Sequence, residues 1–297
     1  MPYRAPHSLI AARRSQPAKW RRSVWIALAA AMVLAWLAMP MSLGRVYVAD
    51  DLGAFHLPLR AFYADCLSAG DAFDWMPSLF CGFFLTGEGQ GGTYHPLHWL
   101  LYRWLPLSLA FDLEVLLPYP IIFAGTVVLL RRWTARIDAA LFGGLCFTFC
   151  SFNLLHFAHV NAVSILAHVP WLMVFLDASA RAERRTVRAA AELGTVLLTG
   201  SQLLLGYPQY VWFSLLAEAA YFGLLVNRRG VRRWSWLRLP VSKLLGVMLA
   251  AVQLLPTLDA YQTAARRSWD DAFYLTGSLH PWNALQWLGP YLFQQRV

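Results

Sequence analysis

Charge is what this sequence has least of. Only 14% of its 297 residues are Asp, Glu, Lys or Arg, against about 25% in ordinary soluble domains. With 58% hydrophobic residues, 14 Trp and a mean hydropathy of +0.45, a water-soluble globule would expose large apolar patches. That class is excluded, and disorder with it. Cysteine is scarce too, and the four thiols make no metal-binding spacing. Cys146 and Cys150 stand i, i+4 and read as core thiols of a buried helix. Cys66 and Cys81 share one loop, where an oxidising compartment would permit but not require a bond. No Walker loop, strand-borne GxGxxG, HExxH or CxxC occurs, so the soluble cofactor and zinc chemistries those motifs serve have no support.

What is present is apolar sequence in long runs, the mark of an all-α polytopic membrane protein. The net charge of +9 does not point to nucleic acid, because nineteen of the 25 bases fall in four clusters between apolar runs. The clusters are Arg4, Arg13, Arg14, Lys19, Arg21 and Arg22; then Arg131, Arg132 and Arg136; then Arg181, Arg184, Arg185 and Arg188; then Arg228, Arg229, Arg232, Arg233, Arg238 and Lys243. Such clustering follows the positive-inside pattern. Ser23–Gly44 is uncharged and about 33 Å long as a helix, enough for a hydrocarbon core of about 30 Å. An uncleaved anchor fits it better than a signal peptide, since no clean small-x-small site follows.

Further spans read at 113–130, at 139–176 (too long for one, and divided near His156–Asn161), at 189–205, 209–226 and 239–258. Gly206 and Pro208 separate the two before the last. The expectation is about seven spans in a bacterial inner membrane. Residues 1–22 form a basic cytoplasmic tail, 23–258 the transmembrane domain with a large outer loop at 45–110, and 259–297 an outer segment.

The outer loop carries Asp50, Asp51, Asp65, Asp71, Asp74 and Glu88 against three bases. Loops that long generally have structure and a function. Phe55, Leu59, Phe62 and Tyr63 recur at helical spacing, as an interfacial amphipathic helix would. Trp75, Trp99, Tyr102 and Trp104 suit an aromatic belt.

Chemistry has several candidate seats. Asp50 and Asp51 stand just outside the first span, where adjacent carboxylates supply a general base or hold a divalent cation, or simply begin a solvated loop. In Glu88–Pro96 the glycines let backbone approach a ligand, and Gln90, Tyr94 and His95 offer donors and acceptors; an ordinary turn is the alternative. His156, His159 and His168 suggest a cluster, although the outer turn separates the first two from the third. Glu218 lies mid-span, where a carboxylate is costly, and is either functional or bonded to a neighbouring helix. Arg266 and Arg267 follow the last span, where a guanidinium clamps a lipid phosphate or snorkels to the headgroups.

Read in order, these segments resemble the YfhO family of bacterial polytopic membrane proteins, relatives of the GT-C glycosyltransferases. The resemblance rests on Asp51-Leu52 with Pro58-Leu59; on Gly82–Pro96 with His98-Trp99-Leu100 and Leu105-Pro106; and on Gly143-Gly144, His159-Val160-Asn161 and Pro170. It continues through Gly206-Tyr207-Pro208-Gln209, Gln253-Leu254-Leu255-Pro256-Thr257 with Asp259 and Arg266, then Pro281-Trp282 and Pro290–Phe293. Tyr207 stands where the family has His, and His95 is inserted in the Tyr-Pro step. Family members are longer, so the chain resembles an N-terminal part of one, truncated before further spans.

The resemblance implies a GT-C-like fold and a membrane glycosyltransferase. Such an enzyme moves a sugar from a polyprenyl-phosphate carrier to an envelope polymer, lipid or protein at the outer face. Asp51 would be the base and Asp50 its neighbour or metal ligand, while Arg60 and Arg266 would face the departing phosphate. Glu88, Gln90, Tyr94, His95, His159, Gln209 and Asp259 would line the substrate site. A flippase or transporter for lipid-linked sugars, using Glu218 and the intramembrane histidines, is the second reading. A fragment acting only in assembly is the third.

Overall fold

The computed structural model describes residues 16–229, 235–264, 275, 278 and 280–287. Two compact units divide the chain, Met1–Thr257 and Leu258–Val297. The first is almost wholly helical. Helix α1 (Gln16–Leu37) leads through a short α2 (Met39–Ser42) into the loop region, which holds α3 (Leu57–Ala69), a two-strand ladder of β1 (Trp75–Met76) with β2 (Phe83–Phe84), and α4 (Pro96–Trp104). Then follow α5 (Leu107–Leu116), α6 (Pro118–Arg131), α7 (Ile137–Thr148), α8 (Ser151–Leu155), α9 (Val160–Arg181), α10 (Arg185–Leu205), α11 (Pro208–Arg229), α12 (Ser235–Leu249) and α13 (Ala251–Thr263). In the second unit a 3₁₀ turn at Pro281–Trp287 buries Asn283, whose Oδ1 accepts from Gln286 Nε2 at 3.1 Å.

Among the described residues five helices are long and apolar enough to cross a membrane, or six if the bent pair Leu237–Leu249 and Ala251–Thr263 is one broken span. The chain is therefore a multi-pass membrane protein by composition and length. Seven spans were expected. The shortfall is α10, as long as its neighbours but carrying Arg188, Glu192, Thr195, Thr199, Ser201 and Gln202, which keep it below the apolarity of a lipid-facing span. It packs between α9 and α12.

Other boundaries moved for physical reasons. The loop was expected to run to residue 110 and the next span to begin at 113. Instead α5 starts at Leu107 and takes Asp112 and Glu114 into a buried helix. The last span breaks at Ala250 with a 73° bend.

Helix α9 is the centre of the bundle, flanked by α6, α10 and α11. It buries residues all round, from Val160 to Asp177, as a helix with protein on every side must. On α11 the stripe Ser214, Glu218, Phe222, Leu225 is buried at three- and four-residue spacing, while Trp212, Phe213, Leu216 and Leu224 face outward. Closest approach of α10 to α12 needs small residues: a Cβ at Gly246 would meet Thr199 Cβ at 2.6 Å, the small-residue contact that holds helices where no hydrophobic force separates them from lipid.

Three of the four basic clusters meet at one end. Arg132 and Arg181 both pair with Asp177, the latter at 2.6 Å, and Arg181 also reaches the Arg132 carbonyl. Arg238 pairs with Glu192 at 2.9 Å. Lys243, grouped with them in sequence, instead turns inward. Arg4, Arg13, Arg14, Arg232 and Arg233 lie outside the described residues.

The loop region occupies the opposite end of these helices and has its own core. Leu52, Tyr63, Leu101, Tyr102, Phe111, Val115 and Val160 form one cluster, and Leu59, Met76 and Leu85 a second. Helix α3 lies between the two. Of the residues expected at helical spacing, Leu59 and Tyr63 are buried, Phe62 is partly covered and Phe55 falls in the turn before α3, while Pro58, Asp65 and Ser68 leave one face of the helix exposed. Of the expected belt, Trp75, Trp99 and Trp104 are exposed and Tyr102 is buried. Cys66 and Cys81 are unbonded, and Cys146 is exposed on α7 instead of lying in a core.

Candidate functional site

The chain enters the loop region through an irregular stretch. Asp50 has φ +53°, a left-handed conformation costly for a residue with a Cβ but tolerated best by Asp and Asn. Asp51 then stands just before a π-turn, Leu52–His56, with no hydrogen bond from its side chain to the turn, and the turn runs into α3. Pro58 explains part of that widening, because it has no N–H to return to Ala54 and the ordinary helical pattern is broken there. Backbone outliers and π-turns collect at functional sites.

This geometry leaves the Asp51 side chain half exposed, with its Oδ2 3.6 Å from Nε2 of His159, the residue preceding α9. His56, on the same π-turn, is buried, and burial followed by the nearby Arg60 charge pushes it down to about 4, so it is neutral at pH 7.

From His159 a run of aromatic rings continues along the surface. His159 lies 5.3 Å from His156, which stacks on Phe152 at 4.0 Å and meets Tyr210 at 6.2 Å; Tyr210 stacks on Tyr207 at 4.8 Å. Three histidines do not assemble. His168 lies deeper on α9, bonded to the Ser164 carbonyl and Ser201. Among the described residues no group of three or more His, Cys, Asp or Glu is gathered as metal ligands would be.

The glycine-rich segment is a buried hub. Five of its carbonyls are each held by a side chain from elsewhere. Thr86 O takes Gln253 Nε2 at 2.7 Å, Gln90 O takes Asn161 Nδ2 at 2.6 Å, and Gly91 O takes Arg60. Gly92 O is 2.9 Å from His98 Nδ1, and Thr93 O takes Tyr63 OH at 2.6 Å. Irregular backbone at membrane depth survives only when its polar groups are satisfied within the protein. Gly206 seals the hub: its φ is +83°, and a Cβ there would lie 2.0 Å from the Gly89 carbonyl oxygen.

The expected substrate residues therefore separate. Glu88 is half buried, accepting from the Gln90 amide at 2.6 Å. Gln90 takes part through its backbone. Tyr94 donates to Asp74, and His95 is buried against Ser201 at 2.8 Å. Gln209 is exposed on the first turn of α11, next to the aromatic run in sequence. Asp259 is exposed and belongs to the second unit. Arg266 lies outside the described residues.

Arg60 is not available to a phosphate. It is 2% exposed and gives Nε and Nη2 to the two oxygens of Glu114 at 2.8 and 2.6 Å, with its remaining fork arm on Gly91. Tyr102 OH also donates to Glu114. His98 is pushed down to about 4 chiefly by burial, although Glu114 pulls the other way.

Glu114 was missed, although the rule applied to Glu218, that a carboxylate in an apolar run needs a reason, would have found it. Glu218 itself is fully buried and ion-paired with Lys243, with Ser214 donating to it at 3.0 Å and Lys243 also reaching Thr199 at 2.9 Å. Compared with family models, curated proteins and solved structures, the chain shows no match.

Proposed function

We propose that the loop end is the active site of a glycosyltransferase of the YfhO type, in an inner membrane with the basic end cytoplasmic. It transfers a sugar from a polyprenyl-phosphate carrier to an envelope acceptor. The observation that supports this reading is the Asp51–His159 pair: a half-exposed carboxylate between the left-handed Asp50 and a π-turn, beside a surface run of aromatic rings. In the proposed step Asp51 takes the proton of the acceptor hydroxyl. The oxygen attacks the anomeric carbon while the bond from that carbon to the phosphate oxygen breaks, and the carrier phosphate leaves with the electron pair. His159 orients the carboxylate. The exposed ring faces suit the C–H face of a sugar, whose slight positive charge meets the negative π-face. Arg60 is closed by Glu114 and takes no part in meeting the phosphate in this proposal.

The transporter reading is weaker, because Glu218 is paired with Lys243 and is not a free carboxylate. The test is sugar transfer from a radiolabelled polyprenyl-phosphate carrier by the purified chain in nanodiscs, with Asp51→Asn and Glu218→Gln alongside. Loss with the first and not the second supports the proposal. Transfer untouched by Asp51→Asn overturns it.

A further inference from the structure

Away from the Asp51 site, a pocket of about 210 Å³ opens between α4, α6, α9 and α10. Its wall is mainly apolar, with Leu117, Ala167, Trp171 and Leu198, and it reaches the bundle surface at the exposed Leu97 and Ile121. Its polar centre is a chain of three side chains whose proton positions follow from one end. His168 Nδ1 is 2.8 Å from the Ser164 carbonyl, which can only accept, so the proton is on Nδ1 and the Nε2 of this uncharged ring is a lone pair. Ser201 Oγ lies 2.8 Å from that Nε2 and must give it its only proton. His95 Nε2, 2.8 Å from the same Oγ, is therefore the donor, which leaves His95 Nδ1 bare. Burial, with His98 and His168 adding to it, pushes His95 well below the usual imidazole range, so it is neutral too.

Ser201 Oγ keeps one unused lone pair. The chain has no proton left to offer. An anion finds no donor in it. Glu114 also lines the pocket, but both its oxygens are taken by Arg60, so a lone ammonium would be stripped of water with no free carboxylate to meet it. A hydroxyl fits both conditions. We propose that this pocket binds a neutral single-hydroxyl amphiphile, a long-chain alcohol in chemical class, whose O–H donates to Ser201 and whose chain runs out between Leu97 and Ile121. The site is independent of the proposed sugar transfer.

The probe is a diazirine-bearing hexadecanol, photolysed with the full chain in nanodiscs and competed with unlabelled hexadecanol, its methyl ether or palmitate. Labelling should fall on residues 164–171 and 198–205. Hexadecanol should compete about tenfold better than its methyl ether, the worth of one hydrogen bond, and palmitate should compete poorly. Ala167→Phe, which fills the pocket and spares the hydrogen-bond chain, should abolish labelling in a protein of unchanged circular dichroism. Equal competition by alcohol and ether in the unmodified chain overturns the proposal. Labelling that survives Ala167→Phe also overturns it, since the probe then reports surrounding lipid, and so does stronger competition by palmitate.

Discussion

Replacing Glu114 with Gln should unfold the loop region's anchor. The carboxylate is 2% exposed and receives Arg60 Nε at 2.8 Å, Arg60 Nη2 at 2.6 Å and the Tyr102 hydroxyl. Gln keeps the volume and one acceptor oxygen but removes the charge, so a fully buried guanidinium is left with the Gly91 carbonyl as its main partner. Breaking a buried pair from one side typically costs about 3–5 kcal/mol, whereas replacing both partners with apolar residues is often neutral. The double variant Arg60→Met/Glu114→Leu should accordingly be more stable than Glu114→Gln alone. Reversible unfolding in mixed micelles, followed by tryptophan fluorescence, measures all three proteins. The reasoning is refuted if Glu114→Gln costs under about 1 kcal/mol, or if the double variant is the least stable of the set.

Three further outcomes follow from the same geometry. Gly206→Ala should destabilise the chain by at least about 1–3 kcal/mol, since it combines a left-handed φ with a Cβ 2.0 Å from Gly89 O; a thermal midpoint equal to the unmodified protein's would contradict this. His56 and His98 are each held to about 4 by burial. The unfolded chain therefore binds more protons between pH 6.5 and 4, and stability should be full above pH 6.5 and fall as pH drops through that window, by roughly 3 kcal/mol per histidine. Unfolding midpoints at pH 7 and pH 5 check it, and equal values would refute it. In a cysteine-free background, an impermeant thiol reagent should label Asp71→Cys and spare Arg184→Cys in intact cells; the reverse pattern inverts the topology.

What the sequence made legible was local. The break at Gly206-Tyr207-Pro208 was readable because proline and glycine carry their conformational limits with them, and the one near His156–Asn161 because a charge-free run too long for one span has to divide where its polar residues gather; the structure ends one helix and starts another at each. The basic clusters marked one end of the bundle because charge density survives any folding. The partners of buried polar groups were not legible. Arg60 and Glu114 are 54 residues apart and His95 and Ser201 106, and no periodicity connects them. For the same reason Arg60 looked like a surface cation and the glycine-rich segment like a ligand loop. Once its carbonyls are paired, that segment is the joint between the loop region and the helices. Asp51 was singled out by its position after the first span, and the left-handed Asp50 and the His159 contact were not visible in the string.

The measurement that bears most directly on the central claim is the single-turnover rate of sugar transfer by Asp51→Asn, with carrier saturating and carrier affinity determined separately. Asn preserves the shape of Asp but takes no proton at useful pH, and general-base catalysis typically contributes about 10²–10⁴-fold. The account predicts a rate lower by that factor with carrier affinity unchanged. A rate within twofold of the unmodified protein, at equal carrier affinity, would contradict it.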